Sequence, residues 1–182
     1  MKRKIIEFKD YSFQYRVQSE PTLKNINLTI YEGEKVLIVG PSGSGKSTLA
    51  HCLNGLVPFY YSGKVSGELL VDGENVDKKN IFDLSKIIGT VLQDPDSQFI
   101  GLTVGEDIAF KLENYCVEQE EMKSMVKESA KLVDIDKELE SSPYRLSGGQ
   151  KQRLSIARAL VRKSEIYIFD DSFSALDFKT DA

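Results

Sequence analysis

The sequence predicts an α/β domain in which a strand–loop–helix core is joined to an antiparallel β layer and an α-helical insertion. Three observations predict this class. An apolar run at residues 36–39 (VLIV) leads into a glycine-rich turn and then into helix-forming sequence, the order that opens an α/β unit. Residues 67–76 (GELLVDGENV) are typical of a strand that ends in an Asp-Gly turn within an antiparallel layer. Residues 118–133 change to helical spacing.

The predicted strands and the first helix follow from the sequence in chain order. Residues 26–30 alternate apolar and polar side chains, which predicts a half-buried strand. The run at residues 36–39 does not alternate, and this predicts a strand covered on both faces. Helix-forming sequence resumes after Lys46. Residues 87–92 are a further β-branched run, and residues 166–169 (IYIF) predict a second buried strand.

Helical spacing is clearest at residues 118–133. Side chains of the predicted buried face recur there every three or four residues: Met122, Met125, Val126, Ser129, Leu132 and Val133. This pattern predicts an amphipathic helix, and we expect its methionines to pack in a core rather than to carry chemistry. We expect one α/β body over residues 1–182, with a helical subdomain inserted at about residues 102–145.

Composition and charge exclude several classes of protein. The 182 residues include 24 Lys+Arg and 28 Asp+Glu, a formal net charge of −4, and this balance argues against a general nucleic-acid-binding face. No apolar run reaches the roughly 18 residues of a membrane span, and the N-terminus lacks the apolar region of a secretory signal. Two cysteines, Cys52 and Cys116, are too few for a disulfide framework. We therefore expect a reduced, cytoplasmic domain.

The strongest chemical signal is the segment GPSGSGKST, which matches the pattern G-x-x-x-x-G-K-[ST]. It consists of Gly40, Pro41, Ser42, Gly43, Ser44, Gly45, Lys46, Ser47 and Thr48. Glycines at these positions let successive backbone N–H groups turn inward around phosphates, and the helix that follows adds its positive N-terminal end. We expect Lys46 to reach the β- and γ-phosphates of a nucleotide and the Ser47 hydroxyl to ligate Mg²⁺.

Two further segments complete this prediction. Asp170 follows the strand at residues 166–169. Because ligands of open α/β sheets bind beyond the carboxyl ends of strands, we expect Asp170 to share the Mg²⁺ with Ser47. The segment LSGGQ precedes a predicted helix at residues 151–163 and makes a second helix-end anion site, with a serine N-cap. That site consists of Ser147, Gly148, Gly149 and Gln150. Two half-sites for one triphosphate on one chain suggest a head-to-tail dimer.

These motifs, in this order, resemble those of the ABC ATPases: GPSGSGKST as Walker A, LSGGQ as signature, IYIFDD as Walker B and SALD as D-loop. The resemblance covers essentially the whole chain. It implies a P-loop NTPase core that binds ATP with Mg²⁺, pairs as a homo- or heterodimer and drives an integral membrane transporter subunit. It also implies that Tyr15 stacks on adenine, that Gln93 senses Mg²⁺, and that Asp177 acts across the dimer interface. An alternative remains open for each of two residues. Tyr15 is then a strand tyrosine packed on the sheet, and Gln93 is an ordinary loop residue.

Two departures from the family pattern bear on catalysis. Most active members have glutamate after the Walker B aspartate, as the candidate base that aligns the attacking water, whereas this sequence has Asp171. Its shorter side chain predicts ATP binding with slow hydrolysis. Members of the family also continue past the D-loop into a strand and a switch histidine. The single histidine, His51, follows the P-loop and is expected on a helix surface, so the sequence predicts a domain truncated after the D-loop.

The resemblance to subfamilies points in two directions. The stretch QDPDSQFIGLTVGEDIAFKLEN, with Gln98, Glu106 and Asp107, resembles the ATPases of energy-coupling-factor importers, which bring vitamins or metal ions into prokaryotic cells. The stretch IYIFDDSFSALDFKTDA resembles the nucleotide-binding domains of multidrug exporters. The nucleotide-binding domains of exporters usually follow a membrane domain on the same chain. Here only residues 1–5 precede the first strand, which favours a peripheral importer subunit on the cytoplasmic face of the membrane. An ATP-binding module without turnover is the main rival, since the short insertion and single cassette disfavour DNA-repair and translation ATPases.

Overall fold

A four-stranded antiparallel sheet organises the N-terminal part of the chain. In the computed structural model, which describes residues 2–94 and 98–170, the chain forms two units that divide after Ile88. The sheet of the first unit has the strand order β2-β1-β3-β4. Its strands are β1 (Lys4–Tyr15), β2 (Leu23–Tyr31), β3 (Gly63–Val71) and β4 (Glu74–Asn75). The predicted strand at residues 26–30 lies within β2 and is confirmed.

Strands β3 and β4 form the hairpin that the sequence predicts. Asp72 and Gly73, the two residues between the strands, have φ angles of 53° and 74°. A two-residue hairpin turn with two left-handed residues matches the twist of the flanking strands, and Asp-Gly is a favoured sequence for it. Val71 pairs with Glu74 directly across this turn. The Asp-Gly turn and the antiparallel layer are therefore confirmed.

Three helices belong to the first unit: α1 (Lys46–Leu53), α2 (Leu56–Phe59) and α3 (Ile81–Ile87), with a 3₁₀ turn over Val76–Lys78 before α3. The helix predicted after Lys46 is α1. Asn80 caps α3, because its Oδ1 accepts a hydrogen bond from the Asp83 N–H at 2.8 Å. Strands and helices both contribute to the buried apolar side chains of this unit, among them Ile6, Phe8, Phe13, Leu49, Leu53, Val57, Leu69, Val71 and Leu84.

The prediction of a buried strand at residues 36–39 is wrong. The segment is neither strand nor helix, and its side chains are exposed, from 45% at Ile38 to 86% at Leu37. An apolar run forms a buried strand only where neighbouring strands supply hydrogen-bond partners and other elements cover both faces. In the part of the chain that the structure describes, the two sheets are built from other strands.

In its described residues, 89–94 and 98–170, the second unit combines a two-stranded sheet with three helices. The sheet pairs β5 (Ile88–Val91), which begins at the boundary between the units, with β6 (Ile166–Phe169). The helices are α4 (Val104–Asn114), α5 (Gln119–Leu132) and α6 (Gly148–Leu160), and 3₁₀ turns span Asp136–Glu138 and Pro143–Arg145. The strands predicted at residues 87–92 and 166–169 are confirmed, although β6 is only partly buried because Phe169 is 38% exposed.

Helices α4, α5 and α6 share one hydrophobic core. Its buried side chains come from all three helices and their connections: Phe99, Val104, Ile108, Leu112, Val126, Ala130, Ile135, Leu146, Leu154, Ala157 and Val161. Met122 and Met125 pack partly buried against this core, which confirms their predicted packing role. Leu132, by contrast, is 67% exposed, whereas Val133 packs partly buried against the core, so Leu132 alone of the predicted set lies outside the buried face. Among the residues described, no helix is long and apolar enough to cross a membrane.

Candidate functional site

The predicted phosphate-binding loop, residues 40–48, joins irregular backbone to the start of α1. Gly43 and Gly45 have φ angles of 78° and 93°, a left-handed conformation that other residues adopt at a cost. The Ser44 N–H donates to the Pro41 carbonyl at 3.2 Å and closes a tight turn. A Cβ added at Gly43 would meet no atom within 4 Å. Glycine is therefore needed at position 43 for its backbone conformation and not for space.

The side chain of Lys46 folds back onto this loop. Its Nζ donates to the carbonyls of Gly40 and Pro41, each at 2.9 Å. Neutral carbonyls are weaker partners for an ammonium group than an anionic phosphate, because hydrogen bonds between two ionised groups are shorter and stronger. The ammonium is thus held at the loop by contacts that a phosphate could replace. Residues 40–44 are exposed, so a ligand from solvent can reach the loop.

The first turn of α1 is tied to the end of β1. Gly45 is the N-cap, and no side chain of the described residues caps this helix, which leaves its first N–H groups to other acceptors. The Oγ1 of Thr48 hydrogen-bonds to the Tyr15 hydroxyl at 3.0 Å. The Tyr15 ring packs edge-on against Phe13 and Tyr61, at centroid distances of 4.7 and 6.2 Å. Adenine stacking and strand packing both stay open as the role of Tyr15.

Two other residues of α1, His51 and Cys52, are packed against tyrosines. The His51 ring is half-buried and stacks on Tyr61, with ring centroids 5.0 Å apart, so it lies less openly on the helix surface than the sequence predicts. Cys52 is fully buried, and burial raises the pKa of its thiol to about 11, although a hydrogen bond with Tyr11 opposes the rise. Cys116, in the second unit, is exposed.

The LSGGQ segment starts α6 in the second unit. Ser147 is its N-cap: Ser147 Oγ accepts from the Gln150 N–H at 3.3 Å, and Gln150 Oε1 accepts from the Ser147 N–H at 2.9 Å. This reciprocal pair is a capping box, and the predicted N-cap is confirmed. A Cβ added at Gly148 would meet no atom within 4 Å, so the first turn faces open space. Anion binding by this turn, including Gly149, stays a prediction.

Asp170 lies next to the strand that leads into Gln93. Its N–H donates to the Val91 carbonyl at 2.9 Å, and Gln93, which is exposed, follows Val91 closely in the chain. Both side chains offer oxygen ligands, which Mg²⁺ prefers. Ser47, their predicted partner, belongs to the first unit. Residues 2–94 and 98–170 contain no cluster of three or more His, Cys, Asp or Glu that could hold a different metal ion.

Two predicted site residues, Asp171 and Asp177, lie outside the residues that the structure describes. Their assigned roles, in orienting the attacking water and in crossing the dimer interface, stay predictions. The remaining predicted residues divide between the units: those of the first are Tyr15 and residues 40–48, and those of the second are Gln93, residues 147–150 and Asp170. Each group is brought to the start of a helix or the end of a strand, as the sequence predicts.

Sequence reasoning missed the pairing of Asp107 with Arg158. The Asp107 Oδ2 lies 3.4 Å from Arg158 Nη1, and Asp107 is 1% exposed. The two residues are far apart in the sequence, so no local spacing reveals their contact. One signal was present: Asp107 falls on the face of α4 that otherwise buries Val104, Ile108 and Leu112. A carboxylate at a core position is rarely fully buried without a partner.

Comparison with known proteins identifies relatives over most of the chain. A family model described as ABC transporter matches residues 23–174. A protein of Clostridium perfringens is 61% identical over 178 residues, which are 97% of this chain and 31% of the relative. A protein of Enterococcus faecalis is 59% identical over 177 residues, again 97% of this chain and 31% of the relative. Both carry the name "Putative ABC transporter ATP-binding protein". The chain thus spans 31% of the length of these curated relatives.

Solved structures are similar over 96% of this chain. CbiO1 from Clostridium perfringens, described as part of the ABC transporter complex cbiONQ, is 32% identical with a TM-score of 0.82, and the match covers 68% of its chain. A dimeric ATP-binding cassette in a post-hydrolysis state, bound to ADP and Pi, is 32% identical with a TM-score of 0.83 over 77% of its chain. A bacterial Atm1-family ABC exporter with ATP bound is 31% identical with a TM-score of 0.79 over 30% of its chain.

Proposed function

The chain belongs to the ABC transporter family of ATP-binding proteins, and from this premise we propose that it binds ATP and hydrolyses it to power a membrane transporter. The observation that supports this most directly is the loop at residues 40–48. There the Lys46 ammonium is held 2.9 Å from two loop carbonyls, beside a helix start without a side-chain cap. A phosphate would find an ammonium group, backbone N–H groups and the positive end of a helix together.

In this proposal, the phosphates of ATP replace the loop carbonyls as partners of Lys46. The Nζ gives up its bonds to Gly40 and Pro41 for phosphate oxygens, and the new charge-assisted bonds are the stronger ones. Tyr15, at the end of β1, offers its ring to adenine. When bound, Mg²⁺ supplies neutralisation of the phosphate charge. The residues that would hold it are Ser47, Gln93 and Asp170, all of which carry oxygen ligands.

The first turn of α6 supplies the second half of the site. Ser147 and Gln150 fix this turn through their capping box, and Gly148 leaves it facing open space. We assign this turn to the γ-phosphate of an ATP molecule held by the loop of a second ABC ATPase, with Asp177 acting across the same interface. The partner is either a second copy of this chain or a related subunit. The dimer works on an integral membrane subunit at the cytoplasmic face of the membrane.

Among transporters, we propose an importer of the energy-coupling-factor type, with a vitamin or metal ion as cargo. The sequence from Gln93 onwards supports this choice, including Gln98, Glu106 and Asp107. CbiO1, which is described as part of an ABC transporter complex, is 32% identical to this chain, but the Atm1-family exporter is 31% identical. The choice therefore rests on the sequence pattern. A gene for a polytopic membrane protein beside the encoding gene would support a separate membrane subunit, and its absence would favour the exporter or the module without turnover.

Nucleotide binding and turnover test the function itself. We expect Lys46→Ala to weaken binding of Mg-ATP by about tenfold or more, because a hydrogen bond to a charged group contributes about 1.5–3 kcal/mol. Lys24→Ala is the matched control, since Lys24 is an exposed lysine of β2 in the same unit, 2.9 Å from Glu20. Equal ATP affinity in the two variants, with both folded by circular dichroism, would contradict the assignment of the loop.

ATP binding with little turnover is the second candidate function, and Asp171 favours it. A carboxylate withdrawn by about 1.5 Å orients water poorly where positioning supplies most of the catalysis. Asp171→Glu tests this candidate. A rise in kcat at unchanged ATP affinity would support it, whereas unchanged kcat would mean that Asp171 is adequate or that another step limits turnover.

A further inference from the structure

The backbone of the 98–101 loop is held by one charged pair in the second unit. The Asp107 Oδ1 accepts hydrogen bonds from the N–H groups of Ile100 at 2.7 Å and Gly101 at 3.0 Å. The Arg158 Nη1 donates to the carbonyl of Gln98 at 2.9 Å. Three backbone groups of this loop are therefore satisfied by side chains of α4 and α6. The loop lies so close to α4 that a Cβ on Gly101 would come within 2.4 Å of the Asp107 nitrogen.

The same pair joins α4 to α6 through a buried charge. Asp107 is 1% exposed, and no described residue donates a hydrogen bond to its Oδ2. The nearest compensating charge is the Arg158 guanidinium, 3.4 Å away and 21% exposed. Burial lowers the pKa of Arg158, and the charge of Asp107 opposes this shift. A buried carboxylate left without its cation is strongly unfavourable, so Asp107 holds Arg158, and with it α6, in one position.

The pair fixes α6 near its C-terminal end, and α6 is the helix that begins at the signature segment LSGGQ. Arg158 lies on the same helix as Ser147, about 16 Å along it at a rise of about 1.5 Å per residue. A helix is stiff over this distance, so a shift at Arg158 is carried to the first turn. We propose that Asp107 and Arg158 are positioning residues that hold α6 against α4 and the 98–101 loop, and so present the Ser147 turn to ATP. This inference rests on the proposed function, because it assigns that turn to a phosphate.

Conservative variants separate this role from a merely structural one. Arg158→Lys keeps the charge, but a single ammonium replaces the planar group that spans Asp107 and Gln98. Asp107→Asn keeps an acceptor for the loop N–H groups and removes the charge. Arg153→Lys is the matched control: Arg153 is on the same helix, is 43% exposed, and donates instead to the Val133 carbonyl at 3.4 Å.

We expect Arg158→Lys to lower kcat for ATP by about 5- to 150-fold, the usual range of coupling between sites, while ATP affinity, which depends on the loop of the first unit, stays unchanged. Arg153→Lys should match the unaltered chain in both. Asp107→Asn should behave like Arg158→Lys, and the double variant should be no worse than the more severe single variant. If Arg158→Lys does not fold, Asp107→Asn carries the same comparison.

These measurements separate failure of the positioning role from failure of the proposed function. An unaltered chain that neither hydrolyses ATP nor dimerises with it would refute the proposed function, and this inference with it. If the unaltered chain is active and Arg158→Lys has the kcat of Arg153→Lys, only the positioning role is refuted. A parallel loss of ATP affinity and thermal stability would also refute it, because that is the effect of general unfolding. For a chain that binds without turnover, ATP-driven dimerisation measured by sedimentation replaces kcat.

Discussion

Two substitutions of Tyr15 would separate the two roles that its position allows. Tyr15→Phe removes the hydroxyl that hydrogen-bonds to Thr48 Oγ1 at 3.0 Å and keeps the ring that packs on Phe13. Thr48 is 7% exposed, so it has little access to water as a replacement partner. We therefore expect the free energy of unfolding to fall by about 0.5–1.5 kcal/mol, the net value of one hydrogen bond. Tyr15→Leu removes both the hydroxyl and the ring.

ATP affinity then decides between adenine stacking and strand packing. A base stacked on an aromatic ring contributes about 1–3 kcal/mol, so Tyr15→Leu should raise the Kd for ATP by about 5- to 150-fold. Tyr15→Phe should leave the Kd unchanged, because phenylalanine stacks as well as tyrosine. Isothermal titration calorimetry at fixed Mg²⁺ gives both Kd values, and chemical denaturation gives the free energies of unfolding.

The control is Tyr60→Leu, which removes an aromatic ring that is 73% exposed in the same unit. Three results would contradict stacking of adenine on the Tyr15 ring. If Tyr15→Phe raises the Kd as much as Tyr15→Leu, the contact with Thr48, and not the ring, supports nucleotide binding. If neither variant changes the Kd, Tyr15 is a strand tyrosine. If Tyr60→Leu raises the Kd equally, the effect is not specific to Tyr15.

Two further predictions concern stability and thiol chemistry. Ser129→Ala removes the hydrogen bond that Ser129 Oγ donates to the Ala157 carbonyl at 2.7 Å between α5 and α6, and should lower the free energy of unfolding by about 0.5–1.5 kcal/mol. Ser124→Ala, at an exposed position of the same helix, should leave the free energy of unfolding unchanged. Equal effects of the two substitutions in denaturation curves would contradict the role of this bond. Iodoacetamide at pH 8 should label Cys116 in the native protein. Cys52 should be labelled only after denaturation, because its side chain is 0% exposed and its pKa is raised to about 11. If peptide mass spectrometry finds both cysteines labelled at equal rates in the native protein, Cys52 is not protected.

Features that depend on neighbouring residues in the chain could be predicted from the sequence. The Asp72–Gly73 turn needs two left-handed residues, which this dipeptide favours. The cap of α6 needs a hydroxyl three residues before an amide acceptor, and Ser147 and Gln150 provide it. The loop at residues 40–48 is set by its own glycines. In each case the residues that determine the structure are adjacent in the sequence.

Features that depend on distant partners could not be predicted. The run at residues 36–39 has the composition of a buried strand, yet its exposure is decided by which strands pair elsewhere. Leu132 continues the helical pattern of α5, but its side chain is exposed, while its neighbour Val133 packs against the shared core. The contact of Asp107 with Arg158 joins two helices and depends on how they pack. Periodicity reports which residues share a face and not what covers that face.

The exposed apolar run also has a consequence for how the protein behaves at high concentration. Short segments that combine β-branched residues, low charge and solvent exposure favour edge-to-edge association of chains. Residues 36–39 fulfil these conditions. They are flanked by Glu34 and Lys35 on one side and by Gly40 and Pro41 on the other, and charges and proline at such borders limit the growth of intermolecular β structure. Exposure of residues 36–39 therefore favours edge-to-edge association at high protein concentration, and the charged and proline borders oppose it.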